Sequence, residues 1–137
     1  MRTVFADAGY WIALISPRDN LHQLAINAKR QLGNVRIITT QMVFTELLDG
    51  ASNRGASQRA AVAEFTAKLA TLDGITIVPQ TSDQFSEALD FYRNRPDKEW
   101  SLTDCASMLV CQELGITEVL TYDNHFVQAG YVALLRK

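Results

Sequence analysis

Residues 100–126 read Trp100-Ser101-Leu102-Thr103-Asp104-Cys105-Ala106-Ser107-Met108-Leu109-Val110-Cys111-Gln112-Glu113-Leu114-Gly115-Ile116-Thr117-Glu118-Val119-Leu120-Thr121-Tyr122-Asp123-Asn124-His125-Phe126. From Leu102 to Leu114 the pattern is helical and apolar nearly all round, which marks a buried helix. Gly115 closes it. A short apolar strand, Glu118–Thr121, follows at once, and Asp123 lies just beyond its end. A buried helix feeding a short apolar strand is half of an α/β unit. The rest of the chain repeats it.

Working outward, further short strands are predicted at Thr3–Ala6, Arg36–Thr39, Ile75–Val78 and Val132–Leu135. Largely apolar strands of this kind are expected where both sheet faces are covered. Helical patterns fall between them. Asp19–Leu32 carries Leu21, Leu24, Ala25, Ala28 and Leu32 and stops at Gly33; Gln41–Ala51 carries Val43, Phe44, Leu47 and Leu48. Ser57–Leu72 carries Ala61, Phe65, Leu69 and Leu72, and Ser82–Arg95 carries Phe85, Leu89 and Tyr92 before Pro96 forbids continuation. Strands alternating with helices predict an α/β fold on a short, mainly parallel five-stranded sheet.

The 137 residues fit one domain with a substantial core, with no repeat or linker to divide them. A composition 47% hydrophobic and 20% charged suits a globular protein and excludes a disordered one. No apolar run approaches the roughly 18 residues that span a bilayer. Asp7 interrupts the N-terminus too early for a signal peptide. A cytoplasmic location is therefore expected, and Cys105 and Cys111 read as buried thiols outside any zinc-binding spacing. Net charge is −2, which disfavours a binder relying on a broad positive field. A nuclease is less affected, because divalent ions supply positive charge at the point of contact.

The acids carry the chemistry. Asp7 follows the first strand and Asp123 follows the fourth, so in a parallel sheet both project from the carboxyl edge, where α/β proteins bind ligands. Glu46 borders the apolar face of its helix, and Asp104 begins the buried one. A carboxylate so placed needs a partner or a metal, and no Lys or Arg occurs between Lys98 and Arg136. Each acid also has a local use. Asp7 suits a helix N-cap, Asp104 a capping box opened by Ser101, Asp123 a turn or cap, and Glu46 a solvated helix face. Their joint occurrence favours an oxygen-rich site for Mg²⁺ or Mn²⁺.

The sequence resembles the PIN-domain family, and within it the VapC toxins of type II toxin–antitoxin pairs. The resemblance covers essentially the whole chain. It is carried by Val4-Phe5-Ala6-Asp7-Ala8, Phe44-Thr45-Glu46-Leu47, Trp100-Ser101-Leu102-Thr103-Asp104-Cys105 and Leu120-Thr121-Tyr122-Asp123-Asn124-His125-Phe126. It implies a three-layer α/β/α fold with strand order 3-2-1-4-5. It also implies metal-dependent cleavage of RNA by Asp7, Glu46, Asp104 and Asp123, none of which is replaced. Thr121 corresponds to a hydroxyl that supports these acids or touches substrate phosphate. A homodimer and a small antitoxin protein covering the acidic site are further implications of the resemblance.

The expected chemistry is hydrolysis by metal-activated water, leaving 5′-phosphate and 3′-hydroxyl ends without use of the ribose 2′-OH. His22 reads as surface or partner-facing, whereas His125 lies close enough to the acids for a substrate contact. Arg54, Arg59, Arg95 and Lys98 flank the acidic motifs and could reach phosphates. Trp11 and Trp100 suit core or interface positions. A haloacid-dehalogenase-type phosphatase needs Asp-x-Asp, yet Asp7 precedes Ala8-Gly9. A response-regulator receiver needs an acid after strand three, where Pro79-Gln80-Thr81 stands. A flap-type nuclease needs a longer chain. The alternative of another class is a non-catalytic protein-binding module.

Overall fold

A computed structural model describes residues 1–136. Strands β1 (Thr3–Ala6), β2 (Arg36–Thr40), β3 (Ile75–Val78), β4 (Glu118–Leu120) and β5 (Val132–Ala133) form one sheet, all parallel, in the order β3-β2-β1-β4-β5. Helices α1 (Ala8–Ile15), α2 (His22–Leu32), α3 (Gln41–Ala51) and α4 (Ala56–Leu69) pack among themselves, and α5 (Ser82–Arg93) packs on α6 (Leu102–Leu114). A short α7 (Asn124–Gln128) connects β4 to β5. Val4, Phe5 and Ala6 are consecutive and all buried, so both faces of β1 are covered. The layered architecture and strand order are those implied by the resemblance.

The chain builds outward from β1 to β3, then returns to lay β4 on the other side of β1. Strand order thus reverses between β1 and β4, where a crevice opens at the carboxyl ends. The register pairs Ala6 with Leu120, and Asp7 N–H continues the ladder to the Leu120 carbonyl at 3.2 Å. The residues after these two strands therefore start side by side. On the other side of β1, buried Thr39 donates to the Ala6 carbonyl at 2.9 Å and accepts from Trp11 Nε1 at 3.3 Å. Trp11 lies against Phe44 and Phe65 and is a core residue.

The helix boundaries largely follow the caps. Thr40 ends β2 and accepts from Val43 N–H at 3.0 Å, so α3 begins without a loop. Three differences from the sequence expectation are physical. The Asp19 side chain holds the Leu21 N–H in a turn at 2.9 Å, so α2 begins at His22 rather than at residue 19. α4 stops at Leu69 because the Thr71 and Leu72 amides turn back on the carbonyls of Lys68 and Leu69, three residues behind, which leaves Leu72 exposed. Its buried face runs through Val62 and Leu69, and Ala61 is exposed.

α5 departs furthest from expectation. Phe85, Leu89 and Tyr92 are 42%, 37% and 51% exposed, while Ala88 is fully buried and Phe91 packs against Trp100. The apolar arc of this helix is wider than the part that is buried, so periodicity establishes the helix without choosing which side of the arc faces inward. The small side chain faces inward because α5 and α6 pack closely. β5 also ends earlier than expected, although Leu134 and Leu135 still donate to the carbonyls of Val119 and Thr121.

Candidate active site

Asp7 occupies the N-cap position of α1 with extended backbone, but its side chain makes no capping bond to that helix. Instead its Oδ2 accepts the Thr121 hydroxyl at 3.1 Å in a buried setting. The same Thr121 oxygen accepts the Asp123 N–H at 3.0 Å. One threonine therefore fixes the relative positions of the acids that follow β1 and β4. Asp123 caps α7 by accepting from His125 N–H at 2.9 Å.

Asp104 is held by the capping box that Ser101 opens. Ser101 Oγ accepts Asp104 N–H, and Asp104 Oδ2 accepts Ser101 N–H, both at 3.0 Å. Capping leaves the second carboxylate oxygen uncommitted, so the local role does not use up the side chain. His125 Nδ1 lies 2.8 Å from Asp104 Oδ2 and 3.4 Å from Asp123 Oδ1. A carboxylate accepts and does not donate, so Nδ1 carries the hydrogen in this contact.

Electrostatics link these groups to Glu46. Burial pushes the Asp7 carboxyl up to about 7, with the charges of Asp104 and Glu46 adding to the effect and the Ala8 amide and Thr121 hydroxyl opposing it. Glu46 is also raised, first by desolvation and then by Asp104 and Asp123, while the Thr103 hydroxyl acts the other way. For His125, burial disfavours the cation, but the Asp104 hydrogen bond and the charges of Asp123, Asp104 and Glu99 outweigh it and raise the imidazole.

All four sequence-proposed acids thus fall in one electrostatically coupled group at the carboxyl edge, with Thr121 joining Asp7 to Asp123. Asp104, Asp123 and His125 form the tightest part, each offering a ligand atom within 4.8 Å of the others. Among the described residues, no Lys or Arg forms an ion pair with any of the four acids. The sequence expectation that no basic residue answers Asp104 missed His125, which answers it through space. Asn124-His125 directly after Asp123 was the available signal, since a residue just inside a one-turn helix is carried back over its cap.

The remaining candidates are distributed more widely. Arg95 donates through Nε and Nη2 to the two carboxylate oxygens of Asp97, each at 3.1 Å, and Arg59 donates to the Ser52 carbonyl. Lys98 lies over buried Trp100, whose indole donates to Gln128. Arg54 lines a groove of about 240 Å³ that runs between α1 and α3 to Glu46. His22 Nδ1 meets the Ala13 carbonyl at 2.6 Å and is half-buried, so it ties α2 to α1 instead of facing outward.

The chain is 28% identical over 129 residues to the "23S rRNA-specific endonuclease VapC20" of Mycobacterium tuberculosis, covering 94% of this chain and 95% of the relative. The crystal structure of that organism's VapC20, described as a sarcin-ricin loop cleaving toxin, superposes with a TM-score of 0.80. The match has 27% identity and covers 94% of this chain and 96% of the other. FitAcB from Neisseria gonorrhoeae shares the fold, with a TM-score of 0.65 and 15% identity over 95% of this chain and 94% of the other. The PIN-domain family model matches residues 4–130, and this chain belongs to the PIN-domain family.

Proposed function

We propose that this protein is a divalent-metal-dependent endoribonuclease, the toxin of a toxin–antitoxin pair, with Asp7, Glu46, Asp104 and Asp123 as its acidic centre. The observation that carries the proposal is the state of Asp7. It is only 7% exposed, borders like charges and has no Lys or Arg ion pair among the described residues. Such a centre is costly unless something positive enters it. The donors fit a hard ion, Mg²⁺ or Mn²⁺, because they are mainly carboxylate oxygens. When bound, a divalent cation supplies the charge that acidifies water and polarises a phosphodiester.

The chain's own residues position that chemistry. With its carboxyl raised to about 7, Asp7 is only partly ionised near neutrality, and a bound cation would favour the ionised form. Thr121 holds Asp7 and Asp123 in register, and the capping box fixes Asp104. His125 Nδ1–H orients the Asp104 carboxylate, which leaves Nε2 for a water or a substrate oxygen. The nucleophile would be water, neither a side chain nor the ribose 2′-OH, with the bond from phosphorus to the 3′-oxygen breaking, so the products would be 5′-phosphate and 3′-hydroxyl ends. Mg²⁺- or Mn²⁺-dependent cutting of RNA by the purified protein, lost in Asp7→Asn, tests the proposal. A non-catalytic binding module leaves RNA intact under both ions.

The partners follow the same reading. The apolar stripe of Phe85, Leu89 and Tyr92 supports a homodimer through α5. The relative's designation as a toxin supports a small antitoxin protein as the second partner. No helix among the described residues is long and apolar enough to cross a membrane. We place the protein in the cytoplasm, where its two free, buried cysteines remain thiols.

A further inference from the structure

The order of the strands decides what borders the acidic centre. Across the carboxyl edge the chain presents Glu46 after β2, Asp7 after β1, Thr121 to Asp123 after β4, and then whatever follows β5. That last position belongs to Arg136. Leu134 N–H bonds the Val119 carbonyl at 2.8 Å, Leu135 N–H bonds the Thr121 carbonyl at 3.2 Å, and the Leu135 side chain is buried. These anchors deliver Arg136 to the loop that carries Asp123. Its Nη1 donates to the Tyr122 carbonyl at 2.6 Å, and its guanidinium carbon lies 4.6 Å from the centre of the Tyr122 ring.

Tyr122 is 43% exposed, although Thr121 before it is buried and Asp123 after it belongs to the acidic centre. Nothing in the core requires an aromatic ring there. Among the described residues no carboxylate pairs with Arg136, and its hydrogen bond to Tyr122 uses only one of five donors. An exposed ring stacked with an unneutralised guanidinium, one residue from an acid expected to serve phosphodiester chemistry, has the composition of a single-strand RNA seat. Rings and guanidinium planes stack bases without regard to sequence, and the charge meets phosphate.

We propose that Tyr122 and Arg136 together seat the RNA nucleotide beside the scissile phosphate, the ring stacking its base and the guanidinium holding a backbone phosphate. The proposal rests on the RNA reading above and adds residues to it. In this arrangement the strand crosses the sheet edge from the acids toward β5, and an otherwise acidic protein gains its positive contact at the place where substrate leaves the centre. A stacked arginine is also restrained before binding, so less freedom is lost on association.

The test is binding of a fluorescein-labelled single-stranded RNA by anisotropy at several salt concentrations, with KM and kcat for cleavage in Mn²⁺. Arg136→Gln weakens binding roughly tenfold and reduces the slope of log affinity against log salt by about 0.7, the loss of one phosphate contact. The fall in kcat/KM is carried by KM. Arg136→Lys restores the salt slope but only part of the affinity. Tyr122→Leu, which leaves the Arg136 bond to the main-chain carbonyl in place, weakens binding about fivefold, within the range for one stacked base. Tyr122→Phe and the remote control Arg30→Gln behave as wild type.

Unchanged affinity and salt slope in both Arg136→Gln and Tyr122→Leu overturns the proposal, and assigns the stack to a protein partner or to tail anchoring. If wild type binds RNA through these residues but cuts none with either ion, the seat stands and the hydrolytic reading fails. If wild type neither binds nor cuts RNA, both fail.

Discussion

The Thr121 hydroxyl donates to Asp7 Oδ2 at 3.1 Å, joining residues 114 positions apart in the chain. The same oxygen accepts the Asp123 amide, so removing it loosens two acids at once. Thr121→Val keeps the shape and deletes both bonds. Cleavage efficiency in Mn²⁺ is expected to fall roughly 10- to 100-fold, the range for residues that orient metal ligands. Thr121→Ser is expected to recover most of the loss. Equal activity in the valine variant would remove Thr121 from the site.

Asp7 makes stability depend on pH in an unusual direction. Its folded value is about 7 against an ordinary 3.8, so between these limits the folded state binds more protons than the unfolded one. Stability of the metal-free protein therefore falls as pH rises from about 4 to about 7, by on the order of a few kcal/mol for complete burial. Thermal melts in EDTA should show this decline for wild type and a flatter profile for Asp7→Asn. Above pH 7 the asparagine variant should melt higher. Adding Mn²⁺ should raise the wild-type midpoint more than that of the variant.

Much of this was legible in the sequence because it is local. The buried helix Leu102–Leu114, the apolar strands and the glycine stop at Gly115 follow from periodicity and caps. The placement of Asp7 and Asp123 at strand ends needed only the parallel sheet. What the sequence did not carry is through-space. Nothing in residue spacing tells that His125 reaches Asp104, that Thr121 bonds Asp7, or that Arg136 returns to Tyr122. α5 shows a different limit, since Phe85, Leu89 and Tyr92 form as good an apolar stripe as the face that is buried. Packing distance against α6, a tertiary quantity, decided between them.

In the proposed site, His125 would compete with a bound cation for the same carboxylates. Its imidazole is raised above the ordinary 6.5, so the protonated form facing Asp104 and Asp123 persists to higher pH than that of a free imidazole. Mn²⁺ affinity, measured by calorimetry, should strengthen as pH rises through this range, by up to roughly tenfold per unit for each proton released, with both His125 and Asp7 contributing. His125→Asn should retain a donor to Asp104 and show a shallower dependence. A steeper dependence in the variant would contradict this coupling.

The exposed stripe of α5 predicts the oligomeric state. Leu89 sits at its middle, one helical turn from both Phe85 and Tyr92. Leu89→Glu places a charge inside the proposed interface and should convert a dimer to a monomer in sedimentation analysis. Its monomer fold should be intact, because Leu89 is 37% exposed. A wild-type protein that is already monomeric at high concentration would remove α5 as a homodimer face.

The most direct test of the central claim is the chemistry of the cut ends. RNA cleaved by the purified protein in Mg²⁺ or Mn²⁺ should carry 5′-phosphate and 3′-hydroxyl termini, and cleavage should vanish in EDTA and in Asp7→Asn. Fragments ending in 2′,3′-cyclic phosphate, or cleavage that persists without divalent ions, would contradict hydrolysis at a carboxylate-held cation.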